Sequence, residues 1–421
     1  MRSRTSNGRS SIYQGSDGRW HGWVTVGVKP NGQPDRRHRM GKTQKDVTAK
    51  VRELERLRDS GSIADTGRAP TMKDWLEHWV ENIARPAIKP KSYVGYEIDV
   101  RVHLVPALGR HRIDRLQPEH IEAAFASMVA RGSSPGTVQH VRRTLVTALN
   151  EAVARGRSPR NPAALTVAPR SVDAEIDPLS VEEAQQVLAA AEGEKNGAAW
   201  LIALSLGLRR GEVLALRWAD LDLDDGLLHV RRAMTRLTWR HGCAGTCGHK
   251  RGADCPDRLG GGLVFDEPKS RAGLRTLVLP APLRDALKAH RLVQLQDQLA
   301  MGEWWQNNDL VFAAPHGAPL DPDRHTKTWN ELLARAGVRP ARLHDARHTA
   351  ATLLLVQGVD SRTVMALMGW SHISMTARYQ HVVPELRRAA AERMGEVLWP
   401  TATKTATNAE GASDAAKALT A

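Results

Sequence analysis

Two histidines and an arginine lie at the start of one predicted helix, at a spacing that suits anion binding. In the segment RLHDARHTAATLLL (342–355), His344, Arg347 and His348 fall within about one helical turn, so their side chains can share a face. The free backbone N–H groups and the dipole at a helix N-terminus also favour negative charge. The segment therefore predicts a helix that presents cationic side chains to an anion.

Three further segments of the C-terminal half carry candidate functional residues. GLRRGE places Arg209 at the start of a predicted helix, where Glu212 can hold an arginine in position. DEPKSRAG places Lys269 in a turn between two predicted strands, and MGWSHISMTARYQH places Trp370 and Tyr379 in a short helical segment. Each segment alone also has an ordinary explanation: a surface ion pair, a solvated turn or half-buried packing.

Together these residue types suit the breaking of a phosphodiester bond. Guanidinium groups offer paired donors to the negative charge that accumulates on phosphate oxygens in the transition state. A phenol, with an unperturbed pKa of about 10, needs its proton withdrawn or its anion stabilised by cations before it can attack. Lysine is suited to protonate an alkoxide leaving group. The sequence has no evident carboxylate cluster with two-metal geometry, so this chemistry needs no metal.

Charge favours a nucleic acid as the partner. The 421 residues include 60 Lys and Arg against 46 Asp and Glu, a net charge of +14. Residues 1–60 hold 14 basic and 6 acidic side chains, so +8 of the excess lies in one-seventh of the chain. A merely solubilising surface is the alternative, but the concentration in one segment favours nucleic-acid binding.

Composition excludes several classes of protein. A hydrophobic content of 41 % suits globular cores, and no run of 18 apolar residues is long enough to span a membrane. The basic N-terminus lacks an apolar segment behind it, so it does not resemble a secretory signal. Three cysteines are too few for a disulfide framework. We therefore expect a cytoplasmic protein.

Hydrophobic periodicity and the positions of glycine and proline divide the chain into predicted domains. Short strands and a helix with one apolar face are predicted at the N-terminus, and basic helices follow, the first with Trp75 and Trp79 on one face. A proline-rich stretch then precedes a mixed segment of helices and a few strands, which begins where Ser180 and Glu183 have the spacing of a capping box. The final stretch is low in bulky apolar residues, which predicts disorder. The predicted boundaries are a module at 1–62, a linker at 63–70, a helical domain at 71–165, a linker at 166–178, a mixed domain at 179–398 and a tail at 399–421.

The order and spacing of the candidate residues resemble the tyrosine recombinase, or phage integrase, family. The intervals 344 to 347, 347 to 370 and 370 to 379 are 3, 23 and 9 residues, as in that family. The resemblance extends over about 72–381. It implies a mainly α, multidomain fold with a small antiparallel β-sheet, in which an N-terminal strand–helix arm-binding module and a SAM-like helical core-binding domain precede a mixed α+β catalytic domain.

The resemblance also implies a role for each site residue. Tyr379 would be the nucleophile, Arg209 and Arg347 would grip the scissile phosphate, and Lys269 would protonate the departing 5′ oxygen. His344 would assist proton movement, and His348 would support the site. Many relatives have histidine where this chain has Trp370, which would close the pocket. His372 is a possible displaced substitute, but it breaks the nine-residue interval, so we favour Trp370.

The resemblance implies partners as well. Double-stranded DNA with core and arm-type attachment sites would be the substrate, clamped by the helical and catalytic domains from opposite sides. A homotetramer would exchange strands through a Holliday junction, with an excisionase and a host DNA-bending protein as further partners. We expect a DNA-associated enzyme of the nucleoid that needs neither cofactor nor ATP. The alternatives are a Xer-like resolvase or transposon recombinase, a type IB topoisomerase, and a non-catalytic DNA-binding regulator.

A cysteine-rich insert interrupts the predicted sheet at about 241–262. Its sequence, RHGCAGTCGHKRGADCPDRLGGG, contains Cys243, Cys247, His249 and Cys255, which could ligate a structural zinc ion through three thiolates and one imidazole. The spacings differ from those of ordinary zinc fingers. A flexible basic insertion with reduced thiols is the alternative.

Overall fold

The structure, a computed structural model, divides into two compact units, Met1–Asp173 and Ala174–Ala421. It describes residues 10–28, 32–59, 69–170, 176–268 and 270–382, together with 388, 391, 392, 394, 395, 398 and 399. Lys269, most of the linker predicted at 63–70, and the predicted tail beyond Trp399 lie outside the described residues.

The first unit begins with a three-stranded antiparallel sheet and one helix. The strands β1 (Ser11–Gln14), β2 (Trp20–Val28) and β3 (Pro34–Gly41) pair in that order, and the helix α1 (Gln44–Asp59) follows. Thr43 caps the helix because its hydroxyl accepts the N–H of Asp46 at 3.2 Å. The apolar face predicted for this helix is buried. The predicted strands and helix are thus present.

The rest of the first unit is helical. Two π-helical turns, Trp79–Ala84 and Asp99–Leu104, join short helices into longer ones, so the described chain runs as helices over 72–87, 90–108, 118–130 and 135–154. Trp75 and Trp79 lie in the shared apolar core, as their helical spacing predicted. The helices are α2 (Met72–His78), α3 (Arg85–Ala87), α4 (Pro90–Ile98), α5 (Val105–Leu108), α6 (Pro118–Ala130) and α7 (Pro135–Ala154).

Helices form most of the second unit. The predicted capping box is present at its first helix, where Ser180 and Glu183 each bond the other's backbone N–H. The helices are α8 (Val181–Ala191), α9 (Ala198–Ser205), α10 (Arg210–Leu214), α11 (Ala281–Met301), α12 (Pro322–Arg335), α13 (Leu343–Val356) and α14 (Ser361–Met368). A 3₁₀ segment, Ile373–Val382, follows the last of them.

The strands of the second unit form separate small antiparallel sheets rather than one. β10 (Arg275–Val278), β5 (Leu227–Val230) and β4 (Leu221–Asp222) make one sheet; β6 (Ala233–Leu237) pairs with β9 (Gly262–Asp266), and β7 (Arg240–His241) with β8 (Arg258–Leu259). At the break between β5 and β6, Arg231 and Arg232 both approach the buried carboxylate of Asp220.

The fold class is as predicted: mainly α, with small antiparallel sheets, in more than one unit. Among the described residues, no helix is both long enough and apolar enough to cross a bilayer.

Candidate active site

One buried carboxylate organises two arginines in the second unit. Glu212 lies in the first turn of α10 and accepts from Arg209 Nη1 at 2.7 Å and from Arg275 Nη2 at 2.9 Å. Burial alone would raise the pKa of Glu212, but the two guanidiniums outweigh burial and hold it below its usual value. Glu212 is therefore ionised, and it fixes both arginines.

A third arginine is buried nearby. Arg347, in the first turns of α13, is 3 % exposed; it donates to the carbonyl oxygen of Gly207 at 2.6 Å and to that of Met368. Burial, and then the positive charge of Arg209, lower the pKa of Arg347 to about 9. The guanidinium is thus charged at neutral pH but lacks a carboxylate partner among the described residues, a state that an anion would stabilise.

Two glycines supply carbonyls that hold these arginines. Gly207 (φ +62°) bonds Arg347, and Gly369 (φ +61°) accepts from Arg209 Nη2 at 3.2 Å. Both have left-handed backbone conformations, which glycine adopts without the penalty a Cβ brings. A Cβ at position 369 would also lie 2.8 Å from the carbonyl oxygen of Ala272. The backbone geometry at these two positions therefore needs glycine.

Tyr379 lies in the same pocket, within the 3₁₀ segment. Its ring stacks on Trp370 with centroids 5.5 Å apart, and the Arg347 guanidinium carbon lies 5.8 Å from the Trp370 ring centroid. Tyr379 is 2 % exposed and Trp370 is 7 % exposed. Tyr379 thus reaches the arginine pocket within its own subunit.

A histidine touches the phenol, and it is His348 rather than His344. The Nδ1 atom of His348 lies 2.6 Å from the Tyr379 hydroxyl oxygen. Burial, and then the neighbouring His344, lower the pKa of His348 to about 4, so its imidazole is neutral at pH 7 and can accept the hydroxyl proton. His344 is exposed and meets His348 edge-on, with ring centroids 4.8 Å apart. Although His344 is exposed, the protein packed against one side of its ring removes part of its hydration, and this desolvation, followed by the charge of Arg347, lowers the pKa of His344 as well.

The structure therefore brings together most of the residues that the sequence singled out. Arg209, Arg347, Trp370 and Tyr379 meet in one pocket, His344 lies at its edge, and His372 is exposed. The position of Lys269 lies outside the described residues.

Arg275 was missed by the sequence reasoning. It lies on β10, its side chain is 6 % exposed, and besides Glu212 it donates to the carbonyl oxygens of Leu367 and Gly273. Those partners lie up to 92 residues away in sequence, so no local pattern marks the contact. The local sequence shows only that Arg275 begins an apolar strand, which does not by itself indicate a role in the site.

The cysteine insert forms a cluster with a different histidine from the one predicted. His241, Cys243, Cys247 and Cys255 place one ligand atom each within 4.8 Å of one another, and His249 is outside this group. The structure thus places His241, rather than the predicted His249, beside the three cysteines. His241 lies on β7 beside Cys243, whereas His249 follows Gly248, whose φ of +70° turns the chain.

Two family models match the chain. The model of the phage integrase family matches residues 281–385, and that of the phage integrase N-terminal SAM-like domain matches residues 71–128. The first match contains α13 and Tyr379, and the second lies in the helical part of the first unit.

Similar proteins agree with these matches. An integrase of Saccharopolyspora erythraea is 43 % identical, covering 95 % of this chain and 99 % of its own length. A XerC-like tyrosine recombinase of Caldanaerobacter subterraneus is 30 % identical over 89 % of this chain and 95 % of its own. Among solved structures, the Tn1549 transposon integrase bound to circular intermediate DNA matches with a TM-score of 0.61 at 20 % identity, covering 77 % of this chain and 99 % of that one. A lambda integrase dimer on a core site matches with a TM-score of 0.52 at 17 % identity, covering 90 % and 96 %.

The chain belongs to the phage integrase, or tyrosine recombinase, family. It is accordingly a site-specific recombinase.

Proposed function

We propose that this protein is an integrase that cleaves DNA through a 3′-phosphotyrosyl intermediate on Tyr379 and rejoins the strand to a new partner, inserting or excising a phage or mobile element. One observation carries the proposal. A buried phenol shares its pocket with three arginines, of which only Arg209 and Arg275 are paired with a carboxylate, that of Glu212. This unbalanced positive charge suits a phosphate diester, and the phenol suits attack on it.

The bonds and protons balance in the proposed step. The Tyr379 oxygen attacks phosphorus while Arg209 and Arg347 hold the non-bridging oxygens, and the bond from phosphorus to the 5′ oxygen breaks. The departing oxygen takes a proton from Lys269. Because one phosphoester replaces another, the bond energy is retained and rejoining needs neither ATP nor a cofactor.

His348 receives the phenol proton in this proposal. It is the histidine within hydrogen-bond distance of the Tyr379 hydroxyl, and its neutral ring can act as a base. The exposed His344 touches His348 edge-on, so we place it between the buried base and the DNA or solvent, where it assists proton movement. Trp370 packs against the phenol and orients it.

Double-stranded DNA is the proposed partner, through core and arm-type sites. The concentration of basic residues in 1–60 supports an arm-binding role for that segment. Solved relatives include a lambda integrase tetramer bound to a Holliday junction, so we propose a tetramer that acts through such a junction. An excisionase and a host DNA-bending protein would set direction, and the enzyme would act in the cytoplasm, at the nucleoid.

A nicked attachment-site duplex tests the chemistry, because loss of the short 5′-hydroxyl fragment traps the covalent complex. We expect a complex that survives SDS but not protease, joined through the 3′ phosphate and absent in Tyr379→Phe. On a duplex that carries the core site without arm sequences, Tyr13→Phe is the matched control: this phenol lies on β1, is 48 % exposed, and its loss should leave the adduct intact. An undiminished adduct in Tyr379→Phe would refute the assignment.

A resolvase of the Xer type is the second candidate, because the XerC-like relative matches nearly the whole chain. Both activities use the same chemistry, so the adduct does not separate them. Joining of two different attachment sites on separate molecules supports an integrase. Reaction only between two copies of one site supports a resolvase, and relaxation of supercoils without any joining indicates a topoisomerase.

A further inference from the structure

The thiols of the cysteine insert converge on one point together with a histidine. Nδ1 of His241 lies 3.3 Å from Sγ of Cys247 and 3.9 Å from Sγ of Cys243, and the sulfur atoms of Cys243 and Cys255 are 3.5 Å apart. All four ligand atoms lie within 4.8 Å of one another. None of these residues has a role in the proposed cleavage reaction.

The spacings of 3.3, 3.5 and 3.9 Å are close to those of a tetrahedral zinc site. Zinc–sulfur bonds of about 2.3 Å and zinc–nitrogen bonds of about 2.0 Å place the ligand atoms of a tetrahedron roughly 3.5–3.8 Å apart. A disulfide fits less well, because its sulfurs are bonded at about 2.05 Å and a third thiol would be left over. Three sulfurs and one imidazole nitrogen form a common structural zinc set.

Pairing of distant chain segments closes the cluster. The strand β7, which holds His241, pairs with β8, and the N–H of Gly242 donates to the carbonyl oxygen of Asp257 at 2.8 Å. A Cβ at Gly242 would lie 2.2 Å from that same oxygen, so only glycine permits this approach. The buried Cys255 is thereby brought back to Cys243, twelve residues earlier in the chain.

We propose that His241, Cys243, Cys247 and Cys255 bind one structural zinc ion, which closes the far end of the β6–β9 ribbon. The near end of that ribbon packs against α10, where a Cβ at Gly211 would lie 2.6 Å from the carbonyl oxygen of Met234. Lys269 follows the end of β9 by three residues. The zinc ion therefore stabilises a ribbon whose near end packs against α10, next to Arg209, and whose second strand leads to Lys269. The ion takes no part in the DNA cleavage reaction itself.

Metal analysis of the purified full-length protein, produced in zinc-supplemented medium, tests the site. We expect about one zinc per chain, and a cobalt-substituted protein with the absorption of a tetrahedral thiolate site. His241→Ala should weaken zinc binding at least about tenfold in a chelator competition, whereas the matched variant His249→Ala should bind as the unchanged protein does. Cys255→Ser should weaken binding similarly.

Several results would overturn the assignment. Absence of stoichiometric zinc after reconstitution with the metal alone would remove the site, as would a Cys243–Cys255 disulfide in the unreduced protein. Weakening by His249→Ala but not by His241→Ala would overturn the ligand set. If a variant does not fold, the unchanged protein provides the test. Its three thiols should be protected from alkylation while zinc is bound and should become alkylated when a chelator removes the zinc. This test of the zinc site is independent of the test of the Tyr379 adduct.

Discussion

The hydroxyl oxygen of Tyr379 lies 2.6 Å from Nδ1 of His348, inside the protein and within one subunit. The phenol and the His348 imidazole therefore form a unit before DNA binds. Stacking on Trp370 fixes the ring of the phenol, and the low pKa of His348 keeps the imidazole neutral and able to accept a proton.

Replacing His348 with asparagine should slow cleavage and leave DNA binding unchanged. The amide oxygen of asparagine occupies the place of Nδ1 and accepts the hydrogen bond, but it does not take the proton. We expect the single-turnover rate of adduct formation to fall about 10²- to 10⁴-fold. Adduct formation at the unchanged rate would mean that His348 only packs against the phenol.

Lys269→Ala provides the matched control in the same assay. A substrate with sulfur in place of the bridging 5′ oxygen has a leaving group that needs no proton. This substrate should restore cleavage by the lysine variant and should not restore cleavage by His348→Asn. Rescue of both variants, or of neither, would contradict the separate roles of acid and base.

Replacing Glu212 with glutamine should destabilise the catalytic unit. The change leaves the buried guanidinium of Arg275 and the half-exposed guanidinium of Arg209 without their carboxylate. We expect this loss to cost about 3–5 kcal/mol in the free energy of unfolding, mainly through the buried Arg275. Urea unfolding monitored by circular dichroism measures the loss. Glu331→Gln is the control, because Glu331 lies 3.9 Å from Lys327 at the surface and should matter by less than about 0.5 kcal/mol. Equal stability of both variants would refute the organising role of Glu212.

Alanine at position 369 should impair both stability and cleavage. Besides the cost of a positive φ, its Cβ would lie 2.8 Å from the carbonyl oxygen of Ala272 and 3.0 Å from Nη1 of Arg275. Gly337→Ala separates the two effects, since Gly337 has φ +67° but open space around it. We expect a loss of roughly 1 kcal/mol for Gly337→Ala and more for Gly369→Ala, with slower cleavage only in the latter. Melting temperature and adduct yield measure these effects.

Acid should destabilise the second unit through its buried histidines. Burial, and then the charge of Arg210, lower the pKa of His325 to about 4, and its ring stacks on Trp200 with centroids 4.2 Å apart. Between about pH 6.5 and pH 4 the unfolded chain binds a proton that the folded chain does not, so stability is full above that window and falls as pH drops through it.

His325→Phe keeps the stacking and removes the titration. The pH dependence of the unfolding free energy should therefore become shallower by about 1.4 kcal/mol per pH unit within that window. Urea unfolding measured from pH 4 to pH 7 tests this expectation. An unchanged slope would show that His325 is protonated in the folded protein.

Much of this structure could be predicted from local sequence patterns. Apolar spacing predicted α1 and the buried Trp75, and the capping box at Ser180 marks the start of α8 as expected. These features depend on residues three or four positions apart, which a sequence displays directly. The roles of the predicted site residues remain predictions.

Contacts between distant segments could not be read in the same way. Arg275 bonds Glu212 and Leu367, which are 63 and 92 residues away in the sequence. The residues next to Arg275 in the sequence do not indicate those partners. The choice between His241 and His249 depended on a strand pairing and a left-handed turn, which cysteine spacing alone does not reveal.

The burial of Tyr379 has a consequence for the cell. With 2 % of its surface exposed, the phenol of an idle subunit is shielded from the many phosphate esters and electrophiles dissolved around it. Under the proposed function, reactivity then belongs to the complex with DNA rather than to the free polypeptide, which limits stray strand breaks.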